Sequence, residues 1–259
     1  MSDQALILTY HGVEAGPGPL WIEPARFRAH LDCLEEQGAR LLTLSQLVDG
    51  LTDAGVPERA VAITFDDGML SVVQEAAPLL VERGMSATIF CVAGRLGQDN
   101  AWGSNPQTTL RRSLAGARAL SELAAVGFEI GSHGMQHAPL HAVSGAELTR
   151  EIVDSKAALE QQIGAPVSSF AYPYGVAPRE AGSALIRSTY RSACCASPAY
   201  ARAGADVFEL PRVDIHYLRR AAMLARAAQG SLQTYIGLRR GAGRIRRYAV
   251  KDYAAARAG

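Results

Sequence analysis

Seven short apolar runs punctuate this chain, and what lies between them decides the class of fold it can adopt. They are ALILTY (5–10), VAITF (61–65), ATIFCV (87–92), FEIGS (128–132), SSFAY (168–172), YRSACCA (190–196) and VFELPRVDI (207–215). Near-continuous apolar character over a handful of residues marks a strand covered on both faces. Between the runs the apolar period lengthens to that of a helix. PARFRAHLDCLEEQG (24–38) and SVVQEAAPLLVERG (71–84) are each followed by or close on a glycine able to cap them, and ARALSELAAVG (117–127) and SGAELTREIVDSKAALEQQIG (144–164) continue the pattern. Strand followed by helix, repeated, specifies a parallel sheet with right-handed crossovers. With about seven strands and no dinucleotide-type glycine fingerprint after the first, the expected architecture is α/β, a closed or nearly closed (β/α) barrel rather than an open doubly wound sheet.

Composition is consistent with this. The chain has 259 residues, 48% of them apolar, and a formal charge of +1, which excludes an intrinsically disordered protein and allows one sizeable core. Such a length suits a single barrel of about 250 residues. MSDQALILTYHG lacks the basic start and long apolar run of a secretory signal, and no transmembrane-length apolar stretch follows, so the expected location is cytoplasmic. Cys33, Cys91, Cys194 and Cys195 show no CxxC spacing and read as reduced core thiols rather than disulfides or zinc ligands. The near-neutral total hides a division: residues 1–218 carry 16 Lys and Arg against 24 Asp and Glu, whereas residues 219–259 carry 10 against 1. The expected organisation is a barrel over 1–218 with a basic helical extension over 219–259, packed on the barrel or projecting from it. GRLGQDNAWGSNPQTT (94–109) reads as a long surface loop bordering a site.

Polar residues fall repeatedly just after the apolar runs: His11, the pair Asp66 and Asp67, His133, and Tyr172 to Gly175. In a barrel these positions share the rim at the carboxyl ends of the strands, where sites are assembled. Two adjacent carboxylates repel and need a cation or strong donors, although Asp-Asp-Gly also suits a turn or a helix N-cap. His133 and His137 are separated by three residues, close enough to share one metal, and equally able to be two surface histidines. One carboxylate and two imidazoles make a three-ligand site with positions left for water, the arrangement of a catalytic zinc. The second carboxylate is then available to take a proton.

TFDDG (64–68), SHGMQH (132–137) and FAYPYG (170–175), in that order, resemble the first three motifs of the polysaccharide deacetylases, the carbohydrate esterase family 4 or NodB-like proteins. The resemblance covers roughly residues 5–216. It implies a distorted (β/α) barrel and metal-dependent hydrolysis of N-acetyl, or sometimes O-acetyl, groups on sugars. It implies further that Asp66 is the catalytic base and that Asp67, His133 and His137 hold a divalent metal, zinc in the first place with cobalt, nickel or manganese as alternatives. Tyr174 aligns with the residue whose backbone N–H helps stabilise the oxyanion. Tyr172 and Pro173 shape the same loop and, with His11, are candidates for contact with substrate.

Two positions depart from the pattern. The third motif usually begins with an arginine that supports the catalytic aspartate, and here that place is Ala171; Arg212, in LPRVDIH, could supply the guanidinium from another direction or contact substrate. The late histidine that serves the family as general acid is matched loosely by His216, preceded two residues earlier by Asp214 where leucine is usual.

The implied substrate is an acylated amino sugar in a polysaccharide, lipopolysaccharide or glycoconjugate pathway. A non-sugar amide or cyclic ureide is the rival substrate, and a metal- or carbohydrate-binding relative without turnover is the rival class. In the basic extension, Arg239, Arg240, Arg244, Arg246 and Arg247 could meet an anionic membrane surface or a lipid-linked phosphate. No motif for nucleic acid accompanies them, and none is expected as partner.

Overall fold

Alternate residues of the strands enter two different packed clusters. In the strand Gln4–Tyr10 (β1), Leu6, Leu8 and Tyr10 join one buried cluster while Ala5 and Ile7 join another. In Ala60–Phe65 (β5), Val61, Ile63 and Phe65 join the first cluster, and Ala60 and Ala62 the second. Successive side chains point to opposite faces of a strand, so alternate residues of each strand enter different packed layers.

The computed structural model describes residues 1–53, 55–102 and 110–239. Besides β1 and β5, the strands are Gly12–Val13 (β2), Trp21–Ile22 (β3), Arg40–Leu42 (β4), Thr88–Cys91 (β6), Glu129–Ser132 (β7), Ser169–Ala171 (β8), Ser192–Cys194 (β9), Ala201–Arg202 (β10) and Val213–Asp214 (β11). The main sheet runs β10-β1-β5-β6-β7-β8-β9, with β4 also paired to β5 and β11 to β1. All these pairings are parallel except β1 with β10. The sheet is thus a curled half-barrel of seven strands within a mixed α/β fold, not a regular eightfold barrel.

The segment expected as a long strand over 207–215 has another form. Leu210 bridges Cys194 of β9, and only Val213 and Asp214 form a strand, opposite Leu8 and Thr9 of β1. One extended stretch therefore spans the two edges of the curl. Arg212 lies within that stretch, which carries it into the interior.

The helices are Pro24–Glu36 (α1), Leu44–Thr52 (α2), Ala77–Glu82 (α3), Ala117–Ala125 (α4), Gly145–Thr149 (α5), Ser155–Ile163 (α6), Glu180–Thr189 (α7) and Ala221–Ala228 (α8). The helix expected over 71–84 begins as a π turn, Val72–Ala76, and a second π turn, Arg150–Asp154, joins α5 to α6. Gly164, at φ 68°, ends α6 in the left-handed region that glycine tolerates. Helix α2 starts with a reciprocal capping box between Thr43 and Gln46. Its Leu44, Leu47, Val48 and Leu51 join the cluster that holds Ile7, Ala60 and Ala62, so α2 covers that side of the sheet. Truncating one of these leucines to alanine would cost about 2–5 kcal/mol.

The first part of the basic extension packs on the body. Leu224, Ala227, Ala228, Leu232 and Ile236 belong to the larger core cluster, and Tyr200 donates its hydroxyl to the Ala227 carbonyl. Arg239 lies over the rings of Tyr217 and Tyr235. Arg240, Arg244, Arg246 and Arg247 lie outside the described residues. Among the described residues no helix is long and apolar enough to cross a membrane.

Candidate functional site

The interior face of β5 reads Ala60, Ala62, Thr64, and the next residue in that alternation is Asp66. Its backbone N–H donates to the Tyr10 carbonyl at 2.9 Å, extending the pairing of β1 with β5 by one step. The carboxylate meets Arg212 face to face, with Nη1 to Oδ1 at 2.6 Å and Nη2 to Oδ2 at 2.8 Å. Arg212 is 2% exposed and is satisfied from several sides. It donates to Thr64 Oγ1 and the Cys195 carbonyl, and its guanidinium sits over the Phe90 ring at 5.4 Å. Burial pushes against the Asp66 charge, but Arg212 outweighs it, with His133 and His11 adding, and the carboxyl lies well below the usual carboxylate range. Burial likewise opposes the charge on Arg212, and Asp66 more than restores it.

Asp67 turns the other way. It has φ 72° and is followed by Gly68 at φ 71°, where a Cβ would come within 3.1 Å of Cys91 Sγ. This turn aims Oδ1 of Asp67 at two imidazoles, 3.6 Å from His133 Nε2 and 3.5 Å from His137 Nε2. Burial raises the Asp67 pKa, partly offset by His11 and His133. Burial and the neighbouring His133 hold His137 well below its ordinary value, so it is a neutral imidazole with a lone pair to offer.

These three residues are the one group of His, Cys, Asp and Glu among the described residues whose ligand atoms meet as a metal set would, all within 4.8 Å of one another. The separations are long for hydrogen bonds. Two atoms held about 2.1 Å from an ion at a tetrahedral angle stand about 3.4 Å apart, close to the spacing seen. His133 Nδ1 lies 2.8 Å from the Ala171 carbonyl. With Nδ1 donating there, Nε2 is left as the acceptor that faces Asp67, as an outer partner of a metal-binding histidine would arrange. The donor set therefore fits a small divalent cation, with carboxylate and imidazole ligands that suit zinc and its neighbours.

Sequence reading alone missed two residues that frame this set. Trp102, in the segment read as a loop bordering a site, stacks on His137 with ring centres 4.5 Å apart. Glu151, in the π turn between α5 and α6, is 2% exposed and accepts from the backbone N–H groups of Met135, Gln136 and Ala138. Its signal was present: it sits on the buried stripe of its helix between Leu148 and Ser155, where a charged residue is out of place without donors. The backbone carries a further mark. Of the four non-glycine residues with positive φ among the described residues, three are Asp67, His137 and Tyr174, and such conformations collect at functional sites.

The remaining candidates are distributed unevenly. His11 follows β1 directly and acts electrostatically on both aspartates. His216 lies just past β11, the strand that pairs with Leu8 and Thr9 of β1 ahead of His11. His216 is exposed, and the Asp214 carboxylate accepts from its backbone N–H rather than its ring, capping the short 3-10 turn Ile215–Leu218. Tyr174 has its ring edge-on to His137 at 4.7 Å. Tyr172, Pro173 and Arg212 lie beneath the surface. All three are buried, the Tyr172 hydroxyl donates to the Phe208 carbonyl, and Arg212 is engaged by Asp66. Ala171 is buried in the sheet, and the guanidinium that meets Asp66 is that of Arg212.

Comparison with known proteins places the chain in a family. The polysaccharide deacetylase family profile matches residues 53–193. The Bacillus subtilis (strain 168) protein YxkH, named with the polysaccharide deacetylases, is 28% identical over 210 residues, covering 81% of this chain and 70% of YxkH. The poly-β-1,6-N-acetyl-D-glucosamine N-deacetylase of Staphylococcus aureus (strain MRSA252) is 24% identical over 164 residues. That match covers 60% of this chain and 54% of the relative, so the chain spans about half of that protein's length. Among solved structures, IcaB from Ammonifex degensii superposes with a TM-score of 0.72 at 24% identity, over 88% of this chain and 98% of IcaB. The Streptococcus pyogenes deacetylase PplD, solved in complex with acetate, gives 0.71 at 23% identity, over 82% and 92%. At these identities the solved structures show a shared fold.

Proposed function

We propose, from the premise that the chain belongs to the polysaccharide deacetylase family, that it hydrolyses the N-acetyl group of an amino sugar in a glycan. The observation that carries the reading is the meeting of Asp67, His133 and His137, drawn from separate parts of the chain, beside an Asp66 held ionised by Arg212. The name of the staphylococcal relative supports N-acetylglucosamine units as the substrate class.

Asp67, His133 and His137 would hold a divalent metal. When bound, such an ion polarises the amide carbonyl and acidifies water. Asp66 takes the proton of the attacking water. Both its oxygens already accept from Arg212, and each retains a second lone pair for that purpose. Arg212 fixes the carboxylate plane without competing for the substrate, since it is buried. The Tyr174 backbone N–H, in a turn set by the left-handed conformation of that residue, donates to the oxyanion as the carbonyl becomes tetrahedral. His216, at the exposed rim, gives a proton to the leaving nitrogen, so water and amide become acetate and free amine.

The test is acetate release from N-acetylglucosamine oligomers by the full chain, before and after removal of metal with a chelator. Activity should vanish on chelation and return with zinc or cobalt. Undiminished turnover in metal-free protein would exclude the mechanism.

A further inference from the structure

The two histidines of the candidate centre sit at the ends of one short loop, His133 to His137, and the underside of that loop rests on a single carboxylate. Glu151 Oε2 accepts from the N–H of Met135 at 3.0 Å, Gln136 at 3.1 Å and Ala138 at 3.3 Å, and Oε1 accepts from Gln136 at 3.0 Å. Among the described residues no lysine or arginine forms an ion pair with it. Its partners are therefore the loop's own backbone, and carboxylate bonds to N–H groups are among the stronger kinds.

The surroundings are built for this contact. Gly134 has φ 85°, and a Cβ there would stand 2.6 Å from Glu151 Oε2, so the absence of a side chain lets the carboxylate reach under the loop. The π turn Arg150–Asp154 inserts extra backbone into the helix at Glu151, and π turns of this kind recur at functional sites. The same turn is tied to the end of β7, because Ser155 Oγ bonds Ser132 Oγ at 3.0 Å and the Glu151 carbonyl at 2.7 Å. Ser132 Oγ in turn accepts from the Gly134 N–H. Strand end, histidine loop and π turn thus form one braced unit.

We infer that Glu151 is a positioning residue for the metal: its carboxylate gathers the N–H groups between His133 and His137 and holds His137 in its left-handed conformation, which sets the spacing of the two imidazoles. It touches neither substrate nor ion and acts through the loop. The inference rests on the metal centre proposed above.

The experiment uses the full chain stripped of metal and titrated with cobalt(II), read by the dissociation constant and by the visible absorption of the bound ion. Thermal midpoints of the metal-free proteins are measured in parallel. Glu151→Gln keeps the shape but turns an NH2 group against N–H donors, and it should weaken cobalt binding by about 10- to 100-fold and alter the spectrum. Glu151→Asp keeps the charge with a shorter reach and should give a smaller weakening; it decides the matter if the glutamine variant fails to fold. Leu159→Ala, in the core on the same helical run, should lower the thermal midpoint yet bind cobalt as the parent does. Parental affinity and spectrum in the folded Glu151 variants, with only the midpoint lowered, would overturn the inference and leave the metal centre standing. Failure of the parent itself to bind cobalt would overturn the centre, and the role of Glu151 with it.

Discussion

Asp66 and Asp67 are adjacent in the chain and equally buried, each 5% exposed, yet their surroundings are opposite. Asp66 continues the inward face of its strand and is clasped by a guanidinium that leaves it ionised. Asp67 takes a left-handed turn, leaves the strand and faces two imidazoles at a distance too long for good hydrogen bonds. Burial alone would push both carboxyls up; only Asp66 has a fixed cation to reverse that. The lesson is that one backbone torsion, at Asp67, separates a residue already neutralised by the protein from one still lacking a full counter-charge. A divalent cation, as proposed above, would supply what Asp67 lacks, and Asp66 has no need of it.

The sharpest way to break this comparison is to remove each charge in turn. Asp66→Asn should reduce deacetylation by about 10²- to 10⁴-fold, the usual worth of a positioned proton acceptor, while metal content measured by atomic absorption stays at the parental level. Loss of metal from that variant would mean the two aspartates had been assigned the wrong way round.

A smaller effect, on stability, is expected from Arg212→Met. It strands the Asp66 charge in the interior, and breaking a buried pair in this way costs about 3–5 kcal/mol, measurable by urea denaturation at pH 7. Acid should narrow the difference. Because the folded pKa of Asp66 lies below the unfolded value of about 3.9, the parental pair contributes fully above that pH and loses its contribution as the pH falls below it. In the methionine variant, protonation of the stranded carboxyl relieves the penalty as the pH drops towards 4. A gap between the two proteins that stays constant from pH 7 to pH 3 would show that Asp66 is not the group responsible.

The smallest effect sharpens the comparison by changing only exposure. Arg191 Nη2 to Asp49 Oδ1 measures 2.6 Å, the same as the shorter contact of Arg212 with Asp66, but both side chains are exposed. Asp49→Asn should shift the unfolding free energy by less than about 1 kcal/mol, since solvent screens such a pair. A loss as large as that of Arg212→Met would deny that burial gives the interior pair its weight.

How much of this was legible beforehand depended on how local the information was. The apolar runs and the residues just after them were readable because a parallel sheet brings the ends of its strands to one rim whatever the loops do. Asp66, Asp67, His133 and His137 each follow a strand closely, and the chain folds so that they meet. Arg212 could be named as a replacement for the arginine missing at Ala171, but its direction depends on an irregular segment that bridges β9 and β1, and no periodicity announces that. Helix α2 went unread because its role is to cover one side of the sheet, a tertiary circumstance. Trp102 lay within a segment recognised as a loop beside a site, without a pattern to single it out. Glu151 was hidden inside a good amphipathic helix, and only its position on the buried stripe betrayed it. The π turn that aims it has no sequence signature of its own.

On the proposed assignment three side chains converge on one ion while Asp66 stays apart from it. Anomalous diffraction at the zinc edge, from crystals of the full chain grown with zinc, tests this most directly. A single strong peak is expected within about 2.0–2.2 Å of Asp67, His133 and His137, with Asp66 still paired to Arg212. A peak bonded by Asp66 in place of Asp67, or no peak between the imidazoles, would contradict that assignment.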